Sequence, residues 1–231
     1  MGYHIFFRIF FTPSRYNLPI MTAKLSIFEE TYKNYLAQVG GLDLRSIAGR
    51  LGIAMVGGDV GIPFFGRLFL VSSRGVFDLE GREPVFAVRV VLCRYLLLAP
   101  KIIPSGDEWV SYKDFKDAAP FVGGFVNNTE RALVKYFSGR LDRLKESCIR
   151  LGAQKADLDL SYQVVVRFEA LPHIPLLLLF NDEDEEFPPQ GTLLFQKKAA
   201  GYLDMECLAI IGWYLTDALN QMAGSSLTTI M

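Results

Sequence analysis

The stretch that decides the fold is residues 160–195, LSYQVVVRFEALPHIPLLLLFNDEDEEFPPQGTLLF. Apolar and polar residues alternate across 160–168, the period of a half-buried β-strand. After the short turn LPHIP at 171–175, the continuous apolar run at 176–180 is typical of a strand buried on both faces. Because the turn is so short, the two strands should run antiparallel. An acidic segment at 181–186 and Pro188-Pro189 then lead to a further short strand at 192–195.

Helices are predicted on both sides of this unit. A final helix starts near Asp204 and buries one side, formed by Leu203, Leu208, Ile211, Leu215 and Leu219. Upstream, helical spacing or caps indicate helices over 25–39, 43–51, 85–98, 129–137 and 141–151, and a β-hairpin over 67–79. Residues 57–66 are interpreted as a glycine-rich loop, and residues 100–127 as an irregular loop with aromatic anchors. This order predicts a single α+β domain with an antiparallel sheet packed by helices, and more helix than strand.

The domain is expected to cover residues 21–231. The first twenty residues contain no acid and two arginines, and Arg8 interrupts their apolar stretch. A signal peptide is one interpretation, but no small-residue cleavage site precedes Met21. The alternative, which we favour, is an N-terminal extension over residues 1–20 that is not part of the functional protein.

The composition excludes several classes of protein. With 24 Lys+Arg against 25 Asp+Glu, the net charge of -1 gives no reason to expect nucleic-acid binding. The longest apolar stretches, 85–99 and 171–180, are shorter than the roughly 20 residues of a membrane span. Cys93, Cys148 and Cys207 lie too far apart for a self-contained iron-sulfur cluster. The odd number of cysteines favours a reducing compartment, so we expect a cytoplasmic protein.

The acidic segment is the first candidate site. Carboxylates at a strand end can bind Mg²⁺ or Ca²⁺ or act as acid and base, which makes Asp182, Asp184, Glu185 and Glu186 candidates. A solvated acidic turn is the alternative, because like charges relieve their repulsion in water. The segment also lacks EF-hand spacing.

Other candidates stand alone in the sequence. His173 could act as a base or metal ligand with Glu169 or Asp184, or it could pin its turn through a hydrogen bond to backbone. Candidate ligand-binding residues are Tyr95, Trp109, Tyr112 and Glu206, although aromatic residues can equally anchor a loop and a glutamate suits a helix start. Catalytic signatures such as GxSxG, HExxH and P-loops do not occur.

Six ordered passages carry a resemblance to a known family: VLCRYLL at 91–97, WVSYKDF at 109–115, LPHIP at 171–175, DEEFP at 184–188, LF at 194–195 and YLDMECL at 202–208. The chain resembles the bacterial and archaeal family of domains of unknown function numbered 3786 over roughly residues 26–219. The resemblance implies a connection with strict anaerobes, some of which join this domain to a four-cysteine iron-sulfur module similar to that of corrinoid iron-sulfur proteins. This chain has no such module, and Gln196 stands where the pattern leads us to expect aspartate.

Two functions are therefore expected at this point, and a purely structural subunit is a third alternative. The first is a cytoplasmic accessory or small-ligand-binding domain linked, through the resemblance alone, to corrinoid, one-carbon or redox metabolism, with an iron-sulfur or corrinoid protein as partner. The alternative is a metal-assisted or acid-base enzyme that uses Asp182–Glu186 with His173.

Overall fold

The computed structural model describes residues 18–224, with side chains described from residue 28. Helix α1 (Leu18–Gly40) opens this range, and α2 (Leu44–Leu51) follows it. Asp43 caps α2 by accepting a hydrogen bond from the Ser46 amide, and Gly52 ends it in the left-handed conformation, as the sequence indicates. The expected extension, residues 1–20, lies almost entirely outside the described residues.

A five-stranded antiparallel sheet contains the central strands predicted from the sequence. Its order is β5-β9-β8-β7-β6, with β5 (Trp109–Ser111), β6 (Gln154–Lys155), β7 (Val164–Leu171), β8 (Ile174–Asn181) and β9 (Gln190–Gln196). Strand β7 begins at Val164, not Leu160, because its pairing with β8 ends at Val164 opposite Phe180. Beyond that pair, the Gln163 amide donates to the Asn181 side chain at 2.8 Å, so a side chain replaces the next backbone partner.

A second, four-stranded antiparallel sheet precedes it along the chain. Its strands, in order, are β1 (Ala54–Val56), β2 (Asp59–Phe64), β3 (Arg67–Ser72) and β4 (Gly75–Asp78). The predicted hairpin over 67–79 is confirmed, whereas the loop predicted over 57–66 is wrong because β2 occupies most of it. Gly57 and Gly58 form the turn before β2 with φ values of 58° and 94°, a conformation that suits glycine in hairpins.

The remaining helices enclose the sheets. They are α3 (Phe86–Leu97), α4 (Val122–Asn128), α5 (Glu130–Phe137), α6 (Leu141–Arg150) and α7 (Met205–Gly224). The prediction of an irregular 100–127 segment is wrong for β5, the 3-10 turn Tyr112–Asp114 and α4. Strand β5 forms because it finds a backbone partner in β9, far along the chain. None of the helices in residues 18–224 is both long and apolar enough to cross a membrane.

One continuous cluster of buried side chains joins the two sheets and the helices. The Phe65 amide donates to the Ala170 carbonyl at 3.0 Å, which connects the β2–β3 turn to β7. The predicted inner side of α7 is buried, including Leu208, Ile211 and Leu215. The α+β class with antiparallel sheets is thus confirmed.

Close packing of α7 against α4 depends on Gly212. A Cβ atom at this position would lie 2.6 Å from Phe125 Cε2. We predict that Gly212→Ala lowers the free energy of unfolding by about 1–3 kcal/mol, because the buried ring must move. Gly49→Ala is the control, since a Cβ atom there has no neighbour within 4 Å, and it should be neutral or stabilising by up to about 1 kcal/mol. Urea denaturation of both variants measures the difference, and equal stabilities would show that the helices separate freely.

Candidate functional site

The acidic segment and His173 lie at opposite ends of β8. His173 immediately precedes this strand and Asp182 immediately follows it. Eight residues of extended chain cover about 25 Å. The predicted combination of His173 with Asp184, Glu185 or Glu186 is therefore not formed, since side chains cannot meet across this distance.

The carboxylates of the acidic segment instead accept hydrogen bonds from backbone amides or face solvent. Asp182 accepts hydrogen bonds from the Gly139 amide at 2.9 and 3.0 Å, and Asp184 accepts from the amides of Glu186 and Phe187 at 2.9 and 2.8 Å. Glu185 and Glu186 are exposed. Within the described residues, no group of three His, Cys, Asp or Glu side chains is arranged to hold a metal ion. This arrangement corresponds to the solvated-turn alternative.

His173 pins the β7–β8 turn to the end of α2. Its Nε2 atom lies 3.1 Å from the Leu51 carbonyl oxygen, and since a carbonyl only accepts, Nε2 carries the proton. The His173 ring stacks on the Tyr202 ring with a centroid distance of 5.3 Å. Tyr95 also stacks on Tyr202, at a centroid distance of 6.4 Å. The Tyr95 hydroxyl donates to the Pro172 carbonyl at 2.6 Å. His173 and Tyr95 are thus brought together, as supports of a turn.

Tyr112 and Trp109 also have structural contacts that explain them. Tyr112 is buried, stacks on Phe125 at 4.2 Å, and donates its hydroxyl hydrogen to the Met205 carbonyl at 2.7 Å. Burial raises the pKa of Tyr112, so this hydroxyl keeps its proton. Trp109 is half-buried on β5, paired with Gln196. Tyr112 therefore fixes the first turn of α7.

A cleft of about 630 Å³ lies beside that first turn of α7. Its walls come from α3, from the segment before α4 and from the start of α7. They include charged and apolar side chains, namely Arg94, Lys116, Asp117, Phe121, Leu203, Asp204, Met205 and Glu206. We refer to this space as the α7 cleft.

Asp204 fixes one wall of the α7 cleft with both carboxylate oxygens. Oδ1 accepts from the Cys207 amide at 2.9 Å and so caps α7. Oδ2 accepts from Arg94 Nη2 at 2.6 Å and from Nε at 3.1 Å. The Arg94 guanidinium also lies over the Tyr35 ring at 5.6 Å. Burial raises the pKa of Tyr35 to about 12, so a neutral ring supports the cation.

Glu206 brings a buried carboxyl group to the same wall. It is 8% exposed and lies in the first turn of α7, where the helix dipole favours negative charge. Of the candidates from the sequence, Glu206 alone lines the α7 cleft. Arg94, Lys116, Asp117, Phe121 and Asp204 were missed as site residues. Two of them had a signal in the sequence. Arg94 is a charged residue within the apolar helix α3, and Asp204 stands at the predicted start of the last helix.

Fold and site together define an α+β domain with two antiparallel sheets and a cleft at the start of its last helix. The chain belongs to the family described as Domain of unknown function (DUF3786), whose model matches residues 43–218, more than half of the 231 residues. The match includes the α7 cleft and the β7–β8 turn. No curated protein and no solved structure matches the chain.

The two roles of Asp204 can be separated by substitution. Asp204→Asn keeps a capping side chain but loses the charge that holds Arg94, and should cost about 1 kcal/mol of the free energy of unfolding. Asp204→Ala loses the cap as well and should cost roughly 1 kcal/mol more. Urea denaturation measures both values. Equal losses for the two variants would contradict the capping role.

Proposed function

We propose that this protein is a small-ligand-binding domain and that its ligand occupies the α7 cleft. The observation that carries the proposal is the buried carboxyl group of Glu206 on the wall of a cleft of about 630 Å³. Ligand sites usually have volumes of about 300–1,000 Å³, mostly apolar walls and a few converging polar groups. Apolar residues such as Phe121, Leu203 and Met205 form part of the wall, and the Glu206 carboxyl group among them can orient a ligand.

The charges of the cleft favour a ligand with a positive or hydrogen-donating group. Asp117, Asp204 and Glu206 supply three carboxylates against the two cations Arg94 and Lys116. Arg94 is already held by Asp204. In this proposal a donor group of the ligand contacts Glu206, while an apolar body packs on Phe121 and Leu203.

The walls of the cleft are held in place by contacts within the protein. The Tyr112 hydroxyl donates a hydrogen bond to the Met205 carbonyl. The ion pair between Asp204 and Arg94 holds α7 to α3. Preorganised walls favour affinity, because little order has to be created on binding. These contacts support a binding role without requiring a conformational change.

An accessory role in corrinoid, one-carbon or redox metabolism, with an iron-sulfur or corrinoid protein as partner, remains a prediction from the family resemblance. A cytoplasmic location is also a prediction, drawn from the composition. A ligand in the α7 cleft is compatible with an accessory role, since an accessory domain can carry a small ligand.

Native mass spectrometry of the anaerobically purified protein tests the proposal first. The expected result is a protein mass larger than that of the chain alone. Denaturation should release the bound molecule that accounts for the difference, and this molecule should be organic. Metal analysis of the same sample separates an organic ligand from an ion. If purification strips the ligand, an amphipathic amine library screened by thermal unfolding should give hits. Absence of both results would overturn the proposal.

Variants of the cleft provide the second test. Glu206→Gln should weaken binding of the identified molecule by about tenfold or more, since a charged hydrogen-bond acceptor is lost. Ala119→Trp should abolish binding, because Ala119 is exposed on the cleft wall and the indole would fill the space. Ala54→Trp, at an exposed position on β1, is the matched control and should bind normally. Titration calorimetry measures all three, and unchanged affinity in both cleft variants would contradict the site.

A further inference from the structure

A second, smaller cavity is lined by Tyr112 and Phe125, whose rings stack on each other. Its volume is about 290 Å³, at the lower end of the range for ligand sites. The two rings lie 4.2 Å apart and nearly parallel, at 12°. Ser111 and Lys113 border the cavity on the β5 side, and Glu130 and Thr192 border it where α5 meets β9.

Glu130 is held at this cavity by the close approach of α5 to β9. A Cβ atom at Gly191 would lie 3.2 Å from the Glu130 carbonyl oxygen, so glycine permits this approach. The Leu193 amide donates to the Glu130 Oε1 atom at 3.5 Å. Burial raises the pKa of the Glu130 carboxyl group, whereas the Leu193 amide and the Lys113 charge act in the opposite direction. The carboxyl group is therefore poorly solvated in the absence of a further donor.

Lys113 presents the opposite charge to the same cavity. The ion pairs found in residues 28–224 do not join Lys113 to Glu130. The Lys113 charge nevertheless lowers the pKa of the Glu130 carboxyl group. The cavity thus has a negative end and a positive end. Ser111 and Thr192 also border the cavity, and Val122 and Val126 supply an apolar surface.

We propose that this cavity binds a small zwitterion the size of an amino acid, with its ammonium group on Glu130 and its carboxylate on Lys113. The apolar part of the ligand packs against Val122, Val126 and the Phe125 ring. A single charge would meet one unlike and one like partner in this cavity, whereas a zwitterion satisfies both ends. The inference is independent of the proposed function, because the residues that it uses do not line the α7 cleft.

L-Leucine is the probe, compared with two analogues that each lack one charged group. These are 3-methylbutylamine, without the carboxylate, and 4-methylpentanoate, without the ammonium group. NMR titration of ¹⁵N-labelled protein should show L-leucine shifting the amides of Leu193 and Lys113 with a Kd on the order of 1 mM or below. Neither analogue should reach half of that shift at the same concentration.

Substitutions complete the test. Glu130→Gln and Lys113→Met should each weaken L-leucine binding at least about tenfold, because each removes one charge-assisted contact. Glu186→Gln and Lys155→Met change exposed residues elsewhere and should leave binding unchanged. The proposal is overturned if L-leucine produces no shifts, if an analogue binds equally well, or if Glu130→Gln binds normally. Shifts confined to Glu206 and Cys207 would place the molecule in the α7 cleft and would also overturn it.

Discussion

The carboxylate of Asp204 is the point on which the arrangement around α7 depends. One oxygen begins the helix and the other holds the Arg94 side chain of α3. The Asp204 carboxylate thereby fixes both the start of α7 and the position of α3 beside it. The Tyr112 hydroxyl donates a hydrogen bond to the carbonyl of Met205, the residue that follows Asp204. The first turn of α7 is thus fixed to α3 and to the 3-10 turn Tyr112–Asp114, and Glu206 is positioned as a consequence.

Local patterns were sufficient for the elements whose partners are near in sequence. Strands β7 and β8 could be predicted because alternation, a two-proline turn and an apolar run lie side by side. Strands β2 and β5 could not, since glycine-rich or aromatic segments acquire strand character only through pairing. Strand β5 pairs with β9, more than eighty residues later along the sequence.

The site illustrates the same limit. The sequence shows Glu206 at a helix start, which by itself explains a glutamate there. Its place on the wall of the α7 cleft depends on residues far away in the sequence. Arg94 and Asp204 are separated by 110 positions, and no local pattern joins them. The acidic segment was a candidate because it has many carboxylates close together in the sequence. Closeness in the sequence does not show whether their side chains point to a common site. His173 illustrates the opposite case, since its neighbours in the sequence already favoured a turn.

Gln196 stands where the family resemblance leads us to expect an aspartate. Its side chain is 6% exposed, and within the described residues its Oε1 atom has no hydrogen-bond partner. An aspartate in the same surroundings would bury a charge without compensation, which costs more than an unpaired amide oxygen. A neutral side chain is therefore less costly here than a carboxylate.

The most direct measurement is a crystal structure of the protein with the small molecule that copurifies with it or emerges from the amine screen. The account predicts electron density for that molecule in the α7 cleft, with a donor group in hydrogen-bonding contact with Glu206 and an apolar part against Phe121. Density at another place on the protein, with the α7 cleft filled only by solvent, would contradict it.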